Sequence, residues 1–252
     1  MMKKWARYEK QILFKPIGTE GQEKLLKSKA VIVGMGALGS MIANHLVRSG
    51  VGHIRMIDDD YVELSNLQRQ MIYDEDDVKR PKVFAAERKL ARMNPTVTIE
   101  PIFTALKGEN AEALLAGFDV ILDGTDNFPT RYLMNEAAVK LGIPYIYGGV
   151  ISARGVAAVI IPGKTPCLRC LFPDKDNVPS ETADTAGIIS PIPAIIGSLE
   201  AAEALKLLTG AETTPYLEQV DLWLHSFMQI DIQKGRNPDC PVCVHHQFEF
   251  LA

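Results

Sequence analysis

Three observations predict an α/β fold: a doubly wound, mainly parallel sheet continued by antiparallel strands, in a chain of 252 residues. A short apolar strand, Ala30–Val33, runs directly into the glycine turn Gly34-Met35-Gly36-Ala37-Leu38-Gly39. A helical apolar period follows, then a second strand; strand, turn, helix and strand make one βαβ unit, with a parallel pair and a right-handed crossover. The same alternation repeats to about residue 150. Helices then cover both faces of one sheet, the Rossmann-like arrangement.

Each element has a local reason. Residues 1–27 read as a helical segment ahead of the sheet. After the glycine turn, Leu38, Ile42, Leu46 and Val47 recur at helical spacing until Ser49-Gly50 stops the helix. The strand His53–Ile57 ends in Asp58-Asp59-Asp60. Pro81 opens a helix with Val83, Phe84, Leu90 and Met93 on its apolar face, and Asn94-Pro95 closes it. Val97–Ile102 and Asp119–Leu122 read as strands, the second running into Asp123-Gly124-Thr125-Asp126-Asn127. A helix over Pro129–Leu141 leads to a strand over Pro144–Tyr147, which completes a half spanning 28–150.

Beyond Gly149 the pattern changes. A strand over Gly155–Pro162 leads to the pair Cys167 and Cys170, and residues 173–190 form a long polar loop of the kind that is usually functional. A helix carries Ile195, Ile196, Leu199, Ala202, Leu205 and Leu208, and strands near 217–224 and 227–233 precede Cys240 and Cys243. Residues 151–252 read as a platform or lid on the same sheet, one continuous domain with the first half.

With 27 Lys+Arg against 31 Asp+Glu the net charge is −4, so general nucleic-acid binding, which needs phosphate neutralisation, is not expected. No apolar run approaches the roughly 20 residues of a spanning helix, and the charged start Met1–Arg7 lacks the apolar stretch of a signal peptide. No membrane partner and a cytoplasmic location are expected. In a reducing compartment, two C-x-x-C pairs point to metal rather than disulfides. Cys167, Cys170, Cys240 and Cys243 supply the four thiolates of a closed structural zinc site, which would staple the end of the chain to its middle. His245 and His246 are not needed as ligands.

A glycine turn between strand and helix binds phosphate, because Gly34, Gly36, Ala37 and Gly39 allow close backbone approach and the helix N-terminus favours negative charge. Asp58, at the end of the next strand, is placed for ribose hydroxyls. NAD, FAD and ATP remain open at this point. Ser65, Asn66 and Arg69, followed by Lys82, favour a triphosphate, whose charge requires cations and donors. Asp126 sits on the carboxyl edge of the sheet, where a carboxylate facing a triphosphate would carry Mg²⁺. The competing reading has Asp126 and Asn127 capping the next helix. Asp123 is the structural member, and His45 and His53 are assigned no role.

In order, Arg7-Tyr8-x-x-Gln11, the glycine turn, the acidic triplet, Ser65-Asn66-Leu67-x-Arg69-Gln70, Pro81-Lys82, Thr125-Asp126-Asn127 and the two cysteine pairs resemble the ThiF/MoeB family, closer to ThiF. These are bacterial relatives of ubiquitin-activating enzymes. The resemblance implies a homodimeric enzyme that uses ATP and Mg²⁺ to adenylate the C-terminal Gly-Gly carboxylate of a ubiquitin-like sulfur carrier, ThiS or MoaD. By motif match, Asp58 would bind ribose, while Ser65, Asn66, Arg69 and Lys82 serve the phosphates, beside Asn127. Asp126 would hold the magnesium. Such chemistry needs no general base, since a chain-terminal carboxyl is already ionised near neutral pH.

Two positions depart from the pattern. Lys10 stands where the family has an arginine reaching into the neighbouring protomer's site, which keeps the charge and loses the bidentate fork. Ala183, in Ser180-Glu181-Thr182-Ala183-Asp184-Thr185-Ala186-Gly187, stands where a carrier-linking cysteine is expected. The chain then stops at the acyl-adenylate, or the residue has been exchanged. The run from Asp184 to Gly187 leans toward the thiamin branch. With no sulfurtransferase-like extension, a separate sulfur donor is expected. The alternatives are the same reaction on MoaD, a nicotinamide-dependent oxidoreductase, or a nucleotide-binding scaffold without chemistry.

Overall fold

The computed structural model describes residues 5–174, 176 and 183–251. Eight strands form one sheet in the order β3-β2-β1-β4-β5-β6-β7-β8. They are β1 Lys29–Val33, β2 His53–Asp58, β3 Thr98–Phe103, β4 Val120–Asp123, β5 Tyr145–Ile151, β6 Arg154–Ile160, β7 Tyr216–Asp221 and β8 Ser226–Asp231. The first five are mutually parallel, and β5 through β8 continue antiparallel. The fold class expected from the sequence is the one observed.

The two faces bury different helices because strand side chains alternate. Ile32, Ile54 and Met56 pack on the helices Ala37–Ser49, Lys82–Met93 and Pro191–Thr209. Val31, Val33, Ile57 and Ile121 face the helices Gly108–Leu115 and Phe128–Leu141 and the cysteine segments. The helix Ala37–Ser49 ends at Gly50 in the left-handed conformation with φ of 81°, and a Cβ there would lie 2.5 Å from the Tyr8 hydroxyl. No helix among the described residues is long and apolar enough to cross a membrane.

Two elements differ from the sequence reading. The helix Gly108–Leu115 carries too short an apolar pattern to stand out, and it forms because Ala111 and Leu115 bury against the sheet. The strand expected to end at Tyr147 continues through Gly148-Gly149 to Ile151. These glycines stay in the strand because neighbours press against it: a Cβ at Gly148 would lie 2.0 Å from Glu200 Oε1.

The N-terminal motif is a clamp. Arg7 Nη1 donates to the Met93 carbonyl at 2.7 Å, the buried Tyr8 hydroxyl accepts from Asn94 Nδ2 at 2.8 Å, and Gln11 Nε2 donates to the Ser49 carbonyl at 3.0 Å. The intervening Lys10 points outward, its amine 3.5 Å from Glu9.

Candidate functional site

Strand order reverses between β1 and β4, and the crevice at their carboxyl ends is where open α/β sheets place ligands. A cleft of about 960 Å³ opens there. Gly34 takes φ of +87°, and a Cβ would fall 2.5 Å from the Gly124 carbonyl oxygen, so the ends of β1 and β4 touch backbone to backbone. The N-cap of the helix Ala37–Ser49 is Gly36, which has no side chain to cap the first N–H groups, and helix N-termini of this kind suit anions. Gly34, Gly36 and Ala37 line the cleft. Gly39 does not: its Cβ would lie 1.8 Å from the Gly34 carbonyl oxygen, so its role is helix-to-turn packing.

Asp58, Ser65, Asn66, Arg69, Lys82, Asp126 and Asn127 all come to the same wall. Asp58 accepts the N–H groups of Met35 at 2.6 Å and Asp60 at 2.7 Å, which fix its carboxylate at the end of β2. Burial raises its pKa, against the pull of Lys82 and those two N–H groups. Lys82 is 6% exposed, and its amine donates to Asp60 at 2.8 Å. Thus Asp60, unassigned in the sequence reading, holds a buried ammonium at the cleft edge. Arg69 Nη1 donates to the Ser65 carbonyl at 3.1 Å. Asn66 accepts from the Glu63 N–H at 3.1 Å and so closes the turn that carries Arg69.

The two residues of the Asp126-Asn127 pair separate in role. Asn127 caps the helix Phe128–Leu141 by accepting the Thr130 N–H at 3.0 Å. Asp126 stays exposed in the cleft and forms no ion pair among the described residues, so its carboxylate is available to a cation. Beneath it, the fully buried Asp123 accepts Thr125 N–H and hydroxyl, Arg131 Nε and the Tyr145 hydroxyl. Burial raises Asp123 and the Arg131 charge opposes it. Arg131 Nη2 also donates to the carbonyls of Thr125 at 2.8 Å and Gly148 at 3.1 Å, tying the Asp126 loop to β5. The sequence gives no distinct signal for Arg131, because its helix also carries Thr130, Asn135, Glu136 and Lys140.

Lys10 lies outside the cleft lining. Ala183 lines the cleft from the turn Ala183–Ala186, while Ser180, Glu181 and Thr182 lie outside the described residues.

The four cysteines meet on the opposite side of the sheet from the helix Pro191–Thr209. Their sulfurs lie within 4.8 Å of one another, with Cys167–Cys240 and Cys170–Cys243 at 3.6 Å and Cys167–Cys170 at 3.9 Å. Disulfide sulfurs sit about 2.05 Å apart, whereas thiolates about 2.3 Å from a tetrahedral ion stand roughly 3.8 Å apart. The quartet is a metal-binding arrangement.

A sulfur carrier protein ThiS adenylyltransferase of Bacillus subtilis is 45% identical over 98% of this chain and 74% of its own. A sulfur carrier protein adenylyltransferase of Thermus thermophilus is 41% identical over 94% of this chain and 90% of its own. The solved structure of E. coli MccB with MccA-N7isoASN shares the fold at a TM-score of 0.82 and 24% identity, covering 95% of this chain and 74% of that one. The ThiF family model matches residues 8–242, and the chain belongs to the ThiF family.

Proposed function

We propose that this protein adenylates, with ATP, the C-terminal Gly-Gly carboxylate of a ubiquitin-like sulfur carrier of the ThiS kind and releases pyrophosphate. The observation that carries this reading is a single cleft. It starts at Gly34 and Gly36, passes Lys82, Arg69 and Asp126, and runs on over Gly149, Val156 and Gln219 of β5, β6 and β7. A triphosphate at one end and an extended chain end at the other bring carboxylate and α-phosphorus together in the middle. The names of the relatives from B. subtilis and T. thermophilus support the same substrate class.

The ionised carboxylate attacks the α-phosphorus; a carboxyl oxygen–phosphorus bond forms, and the bond to the bridging oxygen breaks as pyrophosphate leaves with the electron pair. No proton has to be removed, so catalysis consists of alignment and charge neutralisation. The free N–H groups after Gly36 receive phosphate oxygens, and Asp58 holds the ribose. Arg69 and Lys82 neutralise the departing pyrophosphate, with Ser65 and Asn66 shaping that wall beside Asn127. Bound at Asp126, Mg²⁺ would add neutralising charge on the phosphates. Zinc in the cysteine quartet is structural, since four thiolates leave no open position.

Met228 and Ile230, exposed on β8, share the cleft face of the sheet with Gln219 and Leu217, and offer the carrier's globular part an apolar seat. Its tail would pass the turn Ala183–Ala186, whose Ala183 lines the cleft, while residues 175 and 177–182 of the loop lie outside the described residues. A second copy would bring Lys10 to this site, held through Leu13 and Phe14, which are exposed beside it. Size measurement should then give a dimer. The test is ATP–pyrophosphate exchange with purified ThiS and MoaD. Mg²⁺-dependent exchange that requires ThiS is expected; preference for MoaD would move the assignment to molybdopterin synthesis, and exchange with neither would overturn it.

A further inference from the structure

Where the cleft passes from its phosphate end to its tail end stands Tyr147, on β5. Its side chain is almost wholly enclosed, at 2% exposure. One edge packs against Phe172, ring centroids 5.6 Å apart, and the Arg131 guanidinium lies 5.4 Å from the ring centre. The hydroxyl differs from the rest of the ring. It has no hydrogen-bond partner among the described residues, and it is not one of the polar atoms sealed from solvent. The nearby Tyr132 and Tyr145 hydroxyls, by contrast, are committed to the Phe172 carbonyl and to Asp123. A buried tyrosine ordinarily finds a partner for its hydroxyl, so a free one opening on a cleft is a group kept for a ligand.

The surroundings specify that ligand. Gly149 lies beside the hydroxyl, and a Cβ there would be 2.9 Å from the oxygen, so the glycine keeps the backbone side of this spot clear. Gly149 is paired with Val156 and Val156 with Gln219, the row of positions over which an extended peptide end reaches the phosphate end. The Arg131 guanidinium, paired with Asp123, is the cation beside the ring, and the Asp123 and Glu200 carboxyls also act on the phenol. Burial pushes the phenol up to about 12, so at neutral pH the group keeps its proton and acts as a donor.

From this arrangement we infer that the Tyr147 hydroxyl donates a hydrogen bond to the terminal carboxylate of the incoming carrier and holds it against the α-phosphorus. The inference rests on the adenylation reading above and adds a substrate-binding residue to it. The contact binds one oxygen of the carboxylate and leaves the other free to attack.

Tyr147→Phe removes the hydroxyl and keeps the ring between Phe172 and Arg131. The experiment measures ATP–pyrophosphate exchange of the full-length parent and variant while carrier and ATP are varied separately, with thermal melting alongside. A hydrogen bond to a charged group contributes about 1.5–3 kcal/mol, so KM for the carrier should rise at least tenfold. KM for ATP and the melting temperature should stay unchanged. A carrier whose terminal carboxylate is converted to the amide keeps only a neutral acceptor, so Tyr147→Phe should cost it less affinity in calorimetry than it costs the ionised carrier. Unchanged carrier KM in Tyr147→Phe would overturn the inference while leaving adenylation intact, as would a rise confined to the KM for ATP. Absence of exchange in the parent itself would instead overturn the adenylation reading, and this contact with it.

Discussion

Arg69 and Asp126 reach the cleft from surface turns and take part in none of the buried networks. Their replacement by alanine should therefore separate chemistry from folding. Loss of one preorganised charge-stabilising group lowers turnover by about 10²–10³. Exchange in Arg69→Ala and Asp126→Ala should fall by that order with melting unchanged; near-parental exchange in both would remove them from the site. Glu200 presents the opposite case. It is fully buried, faces the Asp123 N–H, and among the described residues no donor closes a hydrogen bond on either carboxylate oxygen. Burial, with the nearby Asp123 charge, raises its pKa well above the ordinary value. A carboxyl that titrates higher in the folded state binds more protons when folded, so stability is lost as pH rises from about 4 through the folded pKa. Glu200→Gln removes that loss. The melting temperature of the variant relative to the parent should climb between about pH 5 and pH 8, and a gap independent of pH would contradict this.

Most single residues of the site were legible because each pairs a chemical type with a strand end. Gly34, Asp58 and Asp126 lie at or just after the ends of β-strands whose apolar runs are plain in the sequence. What stayed hidden depends on chain crossings. Asp60 matters through Lys82, Arg131 through Asp123 and Gly148, and Glu200 through its approach to Gly148. None of these pairs is adjacent in the sequence.

At the level of elements, periodicity located the helices Ala37–Ser49, Lys82–Met93, Phe128–Leu141 and Pro191–Thr209, since each is long enough to show its buried stripe or its caps. The helix Gly108–Leu115 spans only two turns and escaped for that reason. Strand β5 was cut short because paired glycines usually end a strand, whereas here they admit Glu200 on one side and Tyr147 on the other. The cysteine quartet joins the segment after β6 to the chain beyond β8. Cys240→Ser should release that join, lowering the melting temperature on the order of 10 °C for loss of a few kcal/mol in a protein of this size. A strong chelator should reproduce the effect in the parent. Metal analysis that finds no zinc, together with unchanged melting in both arms, would contradict a structural zinc.

For the molecule as a whole, one sheet serves two purposes. Its parallel part presents backbone donors and cations at the strand ends, and its antiparallel part continues the same cleft surface, which the proposed function uses as a peptide platform. The apolar positions Met228 and Ile230 on that platform give a further check. Ile230→Asp should raise the carrier KM severalfold without altering the KM for ATP, and an unchanged carrier KM would remove β8 from the docking surface.

In the proposed reaction the α-phosphoryl group of ATP is transferred, as AMP, to the end of a carrier protein. This transfer is tested most directly by incubating the protein and a purified ThiS carrier with ATP labelled at either the α- or the γ-phosphorus. Label from the α-position should appear on the carrier, and should vanish when the carrier's terminal carboxylate is blocked as an amide. Label arriving from the γ-position, or α-label that persists on the blocked carrier, would contradict it.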